Sequence, residues 1–188
     1  MAIIIGLTGP NAAGKGEAAA YLSSMGFAYH SLSDVLRDEL SGRDLPPTRE
    51  NLIRLGNELR AAHGAGALAE RIKPLLYMRD IVDSIRNPAE VEVLRRLPGF
   101  VLVGVDAPVA IRFQRAVARG RPGEGMTMEE FRAKEARENS LDVTRQQLAQ
   151  TFALADHKVS NAGSLSDLHR KLDSLLKQLE GRSAAQRP

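Results

Sequence analysis

Ala2-Ile3-Ile4-Ile5-Gly6-Leu7 runs without a charge into Gly9-Pro10-Asn11-Ala12-Ala13-Gly14-Lys15-Gly16, and a helical pattern begins at Glu17. An apolar run that passes through a glycine-rich turn into a helix leaves few folds open. It reads as a buried parallel strand whose exit loop wraps a helix N-terminus. The N–H groups of such a loop, with the positive end of the helix dipole, converge on a volume that suits a polyphosphate. Gly9 and Gly14 allow backbone conformations that a side chain disfavours, and Lys15 adds a cation able to follow charge between the β- and γ-phosphates. This Walker-A-type loop predicts that Gly9, Asn11, Ala12, Ala13, Gly14, Lys15, Gly16 and Glu17 hold a nucleotide. The usual form has Ser or Thr after the lysine, where its hydroxyl ligates Mg²⁺; here Gly16 is followed by Glu17.

The rest of the chain alternates apolar runs with helical patterns, which predicts a three-layer α/β fold with a five-stranded parallel sheet covered on both faces. Strands are expected at residues 2–7, 27–31, 80–83, 100–105 and 156–160, and helices at 17–25, 34–40, 49–62, 89–97, 109–119, 128–137 and 165–179. In the last helix Leu165, Leu168, Leu172, Leu175, Leu176 and Leu179 share one stripe and read as core. At 188 residues and 43% apolar composition the pattern fits one domain, 1–180, with a frayed tail at 181–188.

Composition removes several functions. There is no cysteine, so disulfides, thiolate catalysis and cysteine-held zinc are excluded. The net charge is +3, from 26 basic and 23 acidic side chains, which demands no nucleic-acid surface. No segment has the length of a membrane span, and the apolar start is short for a signal peptide and has no cationic leader. A cytoplasmic protein is expected. His30, His63, His157 and His169 show no ligand spacing and read as structural or solvated.

Open parallel sheets gather ligands beyond the carboxyl ends of their strands, so the charges there are the candidate site. Asp34 and Arg37 follow the second strand, three apart on one helical face, where a carboxylate could hold a metal or accept a proton and a guanidinium could grip an acceptor phosphate. The alternative makes Asp34 a helix cap and Arg37 half of a solvated pair. Asp83 and Arg86 follow the third strand in the position of a metal-facing carboxylate and a second phosphate-gripping arginine, with Asn87-Pro88 forming a helix start. Asp106 and Asn161 follow the fourth and fifth. Arg112, Arg115, Arg119 and Arg121, with the glycine-rich loop 120–125 and the following helix, predict a lid over residues 119–138; Arg119 and Arg121 are the candidates to neutralise a transferred group.

Taken together these motifs resemble the P-loop nucleoside monophosphate kinase group. Gly14-Lys15-Gly16 is its loop form, although Thr is usual where Glu17 stands. Ser33-Asp34-Val35-Leu36-Arg37 resembles Gly-Asp-x-x-Arg, and Asp83-Ser84-Ile85-Arg86 resembles Asp-Gly-x-Arg, each with serine in place of glycine. The run from Asp83 through Arg86-Asn87-Pro88 to Glu92, and the ending Ala155-Asp156 to Asn161-x-Gly163-Ser164, look most like dephospho-coenzyme-A-kinase-like proteins and the P-loop domain associated with deoxycytidylate deaminases. The resemblance implies ATP as donor, Mg²⁺, and a nucleotide or nucleotide-like small-molecule acceptor. Arg37 and Arg86 would hold the acceptor; Lys15, Asp34, Asp83, Arg119 and Arg121 would act in transfer, with Asp34 and Asp83 as metal ligands. Arg49 to Gly66 would wall the acceptor side, where Asn57, Glu58 and Arg60 could read a base. The alternative is a non-catalytic nucleotide sensor acting on a partner, either a second copy or a deaminase-type protein. Deaminase chemistry in the chain itself is excluded by the absent cysteines.

Overall fold

The computed structural model describes residues 2–120 and 127–185. Five strands, β1 (Ile3–Thr8), β2 (Ala28–Ser31), β3 (Arg79–Asp83), β4 (Phe100–Asp106) and β5 (His157–Ser160), form one sheet in the order β2-β3-β1-β4-β5. All four pairings are parallel. Every residue of β1 is buried, as expected of a central strand covered on both faces. Alternation divides it: Ile3, Ile5 and Leu7 join a core under α1 (Lys15–Ser24) and α9 (Leu165–Ala185), whereas Ile4 joins a core under α2 (Leu32–Gly42), α3 (Arg49–His63), α4 (Ala67–Ile72) and α5 (Pro88–Leu94). The described helices continue with α6 (Val109–Arg119), α7 (Met128–Arg137) and α8 (Leu148–Ala153). Among the described residues no helix is long and apolar enough to cross a membrane.

The strands stand where the apolar runs place them, to within a residue at either end. Helix α2 begins at Leu32, not Asp34, because Ser31 accepts from the Ser33 N–H and caps it. Asp34 is therefore a first-turn residue and not the cap. Asn87 caps α5 in a reciprocal box with Glu90, with Pro88 at the first helical position. Two short helices, α4 and α8, and a 3₁₀ turn at Lys73–Leu75 were not legible, since six residues hold too few turns for a periodic stripe. Helix α9 continues past Leu179 and through Gly181 to Ala185, beyond the expected start of the tail. Of its stripe, Leu168, Leu172, Leu175, Leu176 and Leu179 are buried, but Leu165 is 53% exposed.

One buried ion pair ties the helical layer to the end of β3. Arg60 of α3, 3% exposed, donates through Nε and Nη2 to Glu90 Oε1 at 3.0 and 2.8 Å. Glu90, with no exposed surface, also accepts from the Arg86 and Asn87 backbone N–H groups through Oε2. Removing one partner of such a pair strands the other charge in the interior. Glu90→Ala should therefore destabilise the fold by about 3–5 kcal/mol in urea titration. Replacing both partners, Arg60→Met with Glu90→Leu, should recover about half, the remainder being the two uncapped N–H groups. A loss below about 1 kcal/mol in the single variant would contradict this account.

Candidate functional site

The loop from Gly9 to Gly14 is shaped by the neighbouring strands. Gly9 has φ +138°, and a Cβ there would overlap the Val105 carbonyl oxygen of β4. Gly9 does not itself line the cleft beyond the loop; its part is to let the backbone lie close to β4. Gly14, at φ +102°, lies against the side chain of Asn161, which donates through Nδ2 to the Ala13 carbonyl at 2.9 Å. Asn11, Ala12, Ala13, Gly14, Lys15, Gly16 and Glu17 all border one cleft of about 1180 Å³. Lys15 donates to the Gly9 and Pro10 carbonyls at 2.7 and 3.0 Å, so its ammonium lies over its own loop. Glu17 is exposed at the rim and makes no hydrogen bond or ion pair among the described residues.

The pKa of Lys15 is pushed down to about 8. Burial is the largest cause; Arg86 and Arg119 push the same way, and Asp83 and Glu138 oppose them. The loop lysine and residues from the end of β3, α6 and the end of α7 thus share one electrostatic site.

Asp83 borders the cleft, its Oδ1 accepting from the Ser84 N–H at 2.6 Å and its Oδ2 from the Tyr29 hydroxyl at 3.1 Å. The Tyr29 phenol is pushed up to about 12, first by burial and then by the Asp83 charge. Arg86 Nη1 donates to Glu138 Oε1 at 3.2 Å and to Gln146 Oε1 at 3.3 Å, and Arg49 Nη2 binds the same Glu138 oxygen. Arg37 borders the cleft but is ion-paired with Asp34, both about half exposed. Asp34 is not among the cleft-lining residues, so the expected metal or proton-accepting role has no geometric support in this state. On α3 the residues expected to read a base separate: Glu58 pairs with Arg43 at the surface, Arg60 reaches the cleft from its buried pair, and Asn57 keeps a buried Oδ1 without a hydrogen-bond partner among the described residues.

The arginines of α6 divide by depth. Arg112 is buried and donates to the Ala107 and Asn11 carbonyls and to Glu135, with its guanidinium over the Phe131 ring, so it docks α7 and steadies the loop. Arg119 Nη2 donates to Asn11 Oδ1 at 3.2 Å, beside the loop as expected. Arg115 lines the cleft with a buried Nη1 that has no hydrogen-bond partner among the described residues, a donor suited to an anion that the preference for Arg119 passed over. Arg121 and the lid loop at 121–126 lie outside the described residues.

These donors suit a triphosphate: loop N–H groups, the Lys15 ammonium, and Arg115 Nη1, which has no partner among the described residues, stand around one space. Among the described residues no group of three or more His, Asp or Glu could cage a metal. The carboxylates at the cleft are Asp83 and Glu17, a set that fits a metal carried in on phosphate oxygens. Sequence reasoning had Arg49 only as the first residue of the acceptor-side wall, and it missed Tyr29, Glu138, Gln146 and Leu165. Only Arg49 and Leu165 had a signal, as the first residues of helices that open on the carboxyl edge of the sheet.

A parallel sheet in this strand order with a phosphate loop after its central strand is a P-loop kinase-like fold, and solved structures agree. TT1252 from Thermus thermophilus superposes with a TM-score of 0.61 at 24% identity over 95% of this chain and 98% of that one. Shikimate kinase from Bacteroides thetaiotaomicron gives 0.58 at 14% over 93% and 98%, and a gluconokinase from Sinorhizobium meliloti 0.55 at 15% over 99% and 98%. At these identities the likeness is one of fold. No family model matches the chain. It is 35% identical over 183 residues to a UPF0200 protein of Hyperthermus butylicus, covering 95% of this chain and 96% of that protein. To a UPF0200 protein of Methanoculleus marisnigri it is 33% identical over 184 residues, covering 95% and 98%. The chain belongs to the UPF0200 family.

The depressed Lys15 has a consequence for stability. Its pKa is about 8 folded against an ordinary 10.5, so between those values the unfolded chain binds more protons and stability from this group rises with pH. Below pH 8 the ammonium is charged in both states and its burial is unfavourable. Lys15→Met should raise the melting temperature at pH 7 and abolish the part of the pH 8–10.5 rise that belongs to this site. Parallel melting curves for the two proteins that stay parallel across that range would contradict the assignment.

Proposed function

We propose that the chain is an ATP-dependent phosphotransferase that moves the γ-phosphate to a nucleotide or nucleotide-like acceptor, of the nucleoside monophosphate or dephospho-coenzyme A type. One observation carries the reading: Lys15, Asp83 and Arg86, from the ends of two neighbouring strands that are far apart in sequence, border one cleft, and the charges of Asp83 and Arg86 both act on the Lys15 ammonium. A phosphate loop at one end and arginines over an apolar wall at the other match a donor triphosphate facing an acceptor with an anionic group and an apolar body. That wall is Leu32, Leu36, Leu52, Ile53 and Leu68.

In this reading the loop N–H groups and Lys15 hold the donor's β- and γ-phosphates. Arg37 and Arg86 orient the acceptor phosphate. The acceptor oxygen bonds to the γ-phosphorus as the bond to the β–γ bridging oxygen breaks, ADP leaves with that electron pair, and where the acceptor group is a hydroxyl Asp83 takes its proton. Arg115 and Arg119 face the transferred group, with Arg121 a further candidate. Mg²⁺ would reach the site on the triphosphate, within reach of Asp83, and supply charge neutralisation. A nucleotide sensor is the second reading; an exposed carboxylate, Glu17, at the rim in place of a metal-binding hydroxyl favours it.

An ADP-release screen over nucleoside monophosphates, deoxynucleotides and dephospho-coenzyme A tests the proposal. Release with one of them supports transfer; ATP binding with no release from any acceptor supports the sensor. Lys15→Ala should abolish turnover while the protein stays folded by melting, and full turnover in that variant would remove the loop from the reaction. Arg37→Lys and Arg86→Lys keep the charge and lose the planar fork, so each should raise KM for the acceptor at least tenfold more than KM for ATP. Equal rises for both substrates would move these arginines off the acceptor side.

A further inference from the structure

Glu138 stands at the C-cap of α7, where the helix dipole disfavours a carboxylate, and it is only 4% exposed. Its position is explained by two guanidiniums: Oε1 accepts from Arg49 Nη2 at the start of α3 and from Arg86 Nη1 in the turn after β3. Arg49, Arg86 and Gln146 line the cleft and Glu138 does not, so the carboxylate stands behind the arginines. The side chains of Arg49 and Arg86 make no other hydrogen bond among the described residues, apart from Arg86 Nη1 to Gln146. Each therefore keeps Nε–H and a second terminal nitrogen for a ligand. Two guanidiniums sharing one oxygen would repel each other without the charge between them.

We propose that Arg49 and Arg86, held together by Glu138 as a positioning residue, form a two-arginine clamp for the phosphate of the acceptor. The clamp joins the acceptor wall to the end of β3, and Arg49 becomes a binding residue alongside Arg86. With Glu138 in place the pair carries one net positive charge, which suits a single phosphate group over a diphosphate. The identity of the ligand as acceptor rests on the phosphotransferase reading; the clamp itself does not.

The test is a titration of the full chain with inorganic phosphate, then with pyrophosphate, following the Nε–Hε resonances of Arg49 and Arg86 by NMR. Both resonances should shift together with phosphate, and pyrophosphate should bind no more tightly at these two residues. Arg49→Gln, a change at a partly exposed side chain made with the melting temperature followed in parallel, should weaken phosphate binding at Arg86 at least tenfold. Glu138→Gln should do the same and weaken phosphate binding at the clamp several-fold more than ATP binding at the loop, where its charge reaches Lys15, and Glu138→Asp should recover part of the loss. A merely structural Glu138 would instead lower the melting temperature and both affinities together. An unchanged phosphate affinity in Arg49→Gln overturns the clamp, and tighter phosphate binding in Glu138→Gln would make Glu138 a competing anion and not a support. Phosphate binding at the clamp with no ADP release for any acceptor would sink the transferase reading alone. ADP release with acceptor KM and phosphate affinity both unchanged in Arg49→Gln would sink the clamp alone.

Discussion

Asn161, at the exit of β5, donates from its buried amide to the Ala13 carbonyl and fills the space where Gly14 has no Cβ. The same loop lies against the β4 carbonyl of Val105 at Gly9 and accepts from Arg112 at the Asn11 carbonyl. One strand earlier, Thr8 donates to the Ile85 carbonyl in the turn that carries Arg86. The phosphate loop is thus held by the carboxyl ends of the strands around it, and the sheet order with β1 in the middle makes this possible. Loosening any of these contacts would move the N–H groups that define the anion site, so the rest of the cleft takes its position from this loop.

Charge is distributed unevenly about that loop. In the half of the cleft proposed for the acceptor, Arg37, Arg49, Arg60 and Arg86 are matched by Asp34, Glu90 and Glu138, and Asp83 stands in the same turn as Arg86, so four guanidiniums meet four carboxylates. In the half proposed for the donor, Lys15 among the described residues hydrogen-bonds to its own loop's carbonyls alone, and Arg115 Nη1 is buried with no hydrogen-bond partner among them. Prepaired arginines are oriented but nearly neutral as a group; an unpaired lysine beside other cations is electrostatically unfavourable until an anion arrives. The asymmetry corresponds to what a highly charged donor and a less charged acceptor would each require.

The features legible in the sequence are those decided within a few residues. The five strands follow from apolar runs, the loop from its glycines and lysine, and Asp83 with Arg86 from charges placed at the end of a buried strand. Asn87 was readable as the start of a helix, and it caps α5 from a buried position behind the cleft. What escaped depends on contacts across long stretches of chain. Glu138 meets Arg49 from 89 residues away, and nothing near it distinguishes it from the other acidic residues of α7. Arg115 and Arg119 sit one turn apart on the same helix, and only burial separates an orphaned donor from one already bound to Asn11. Leu165 fits the core stripe by spacing, yet the first turn of α9 overhangs the sheet edge and leaves it on the cleft.

The two serines that stand where the kinase-like motifs usually have glycine are not equivalent departures. Ser33 lies within the first turn of α2, where a side chain meets no conformational penalty, and its N–H completes the Ser31 cap. Ser84 has φ +66°, in the left-handed region, where a non-glycine residue bears about 1–2 kcal/mol of strain. That conformation directs the Ser84 N–H onto the Asp83 carboxylate, and the Ser31 hydroxyl donates to Ser84 Oγ, which offsets part of the strain. The turn a glycine would form at no conformational penalty is therefore kept, and with it the orientation of Asp83. Glu17 is a different kind of departure, because it changes the chemistry at the cleft rim while leaving the backbone of α1 as it would be with Thr. The departures from the motif are thus of side chain and not of backbone, and of the three only Glu17 brings a new charge to the cleft.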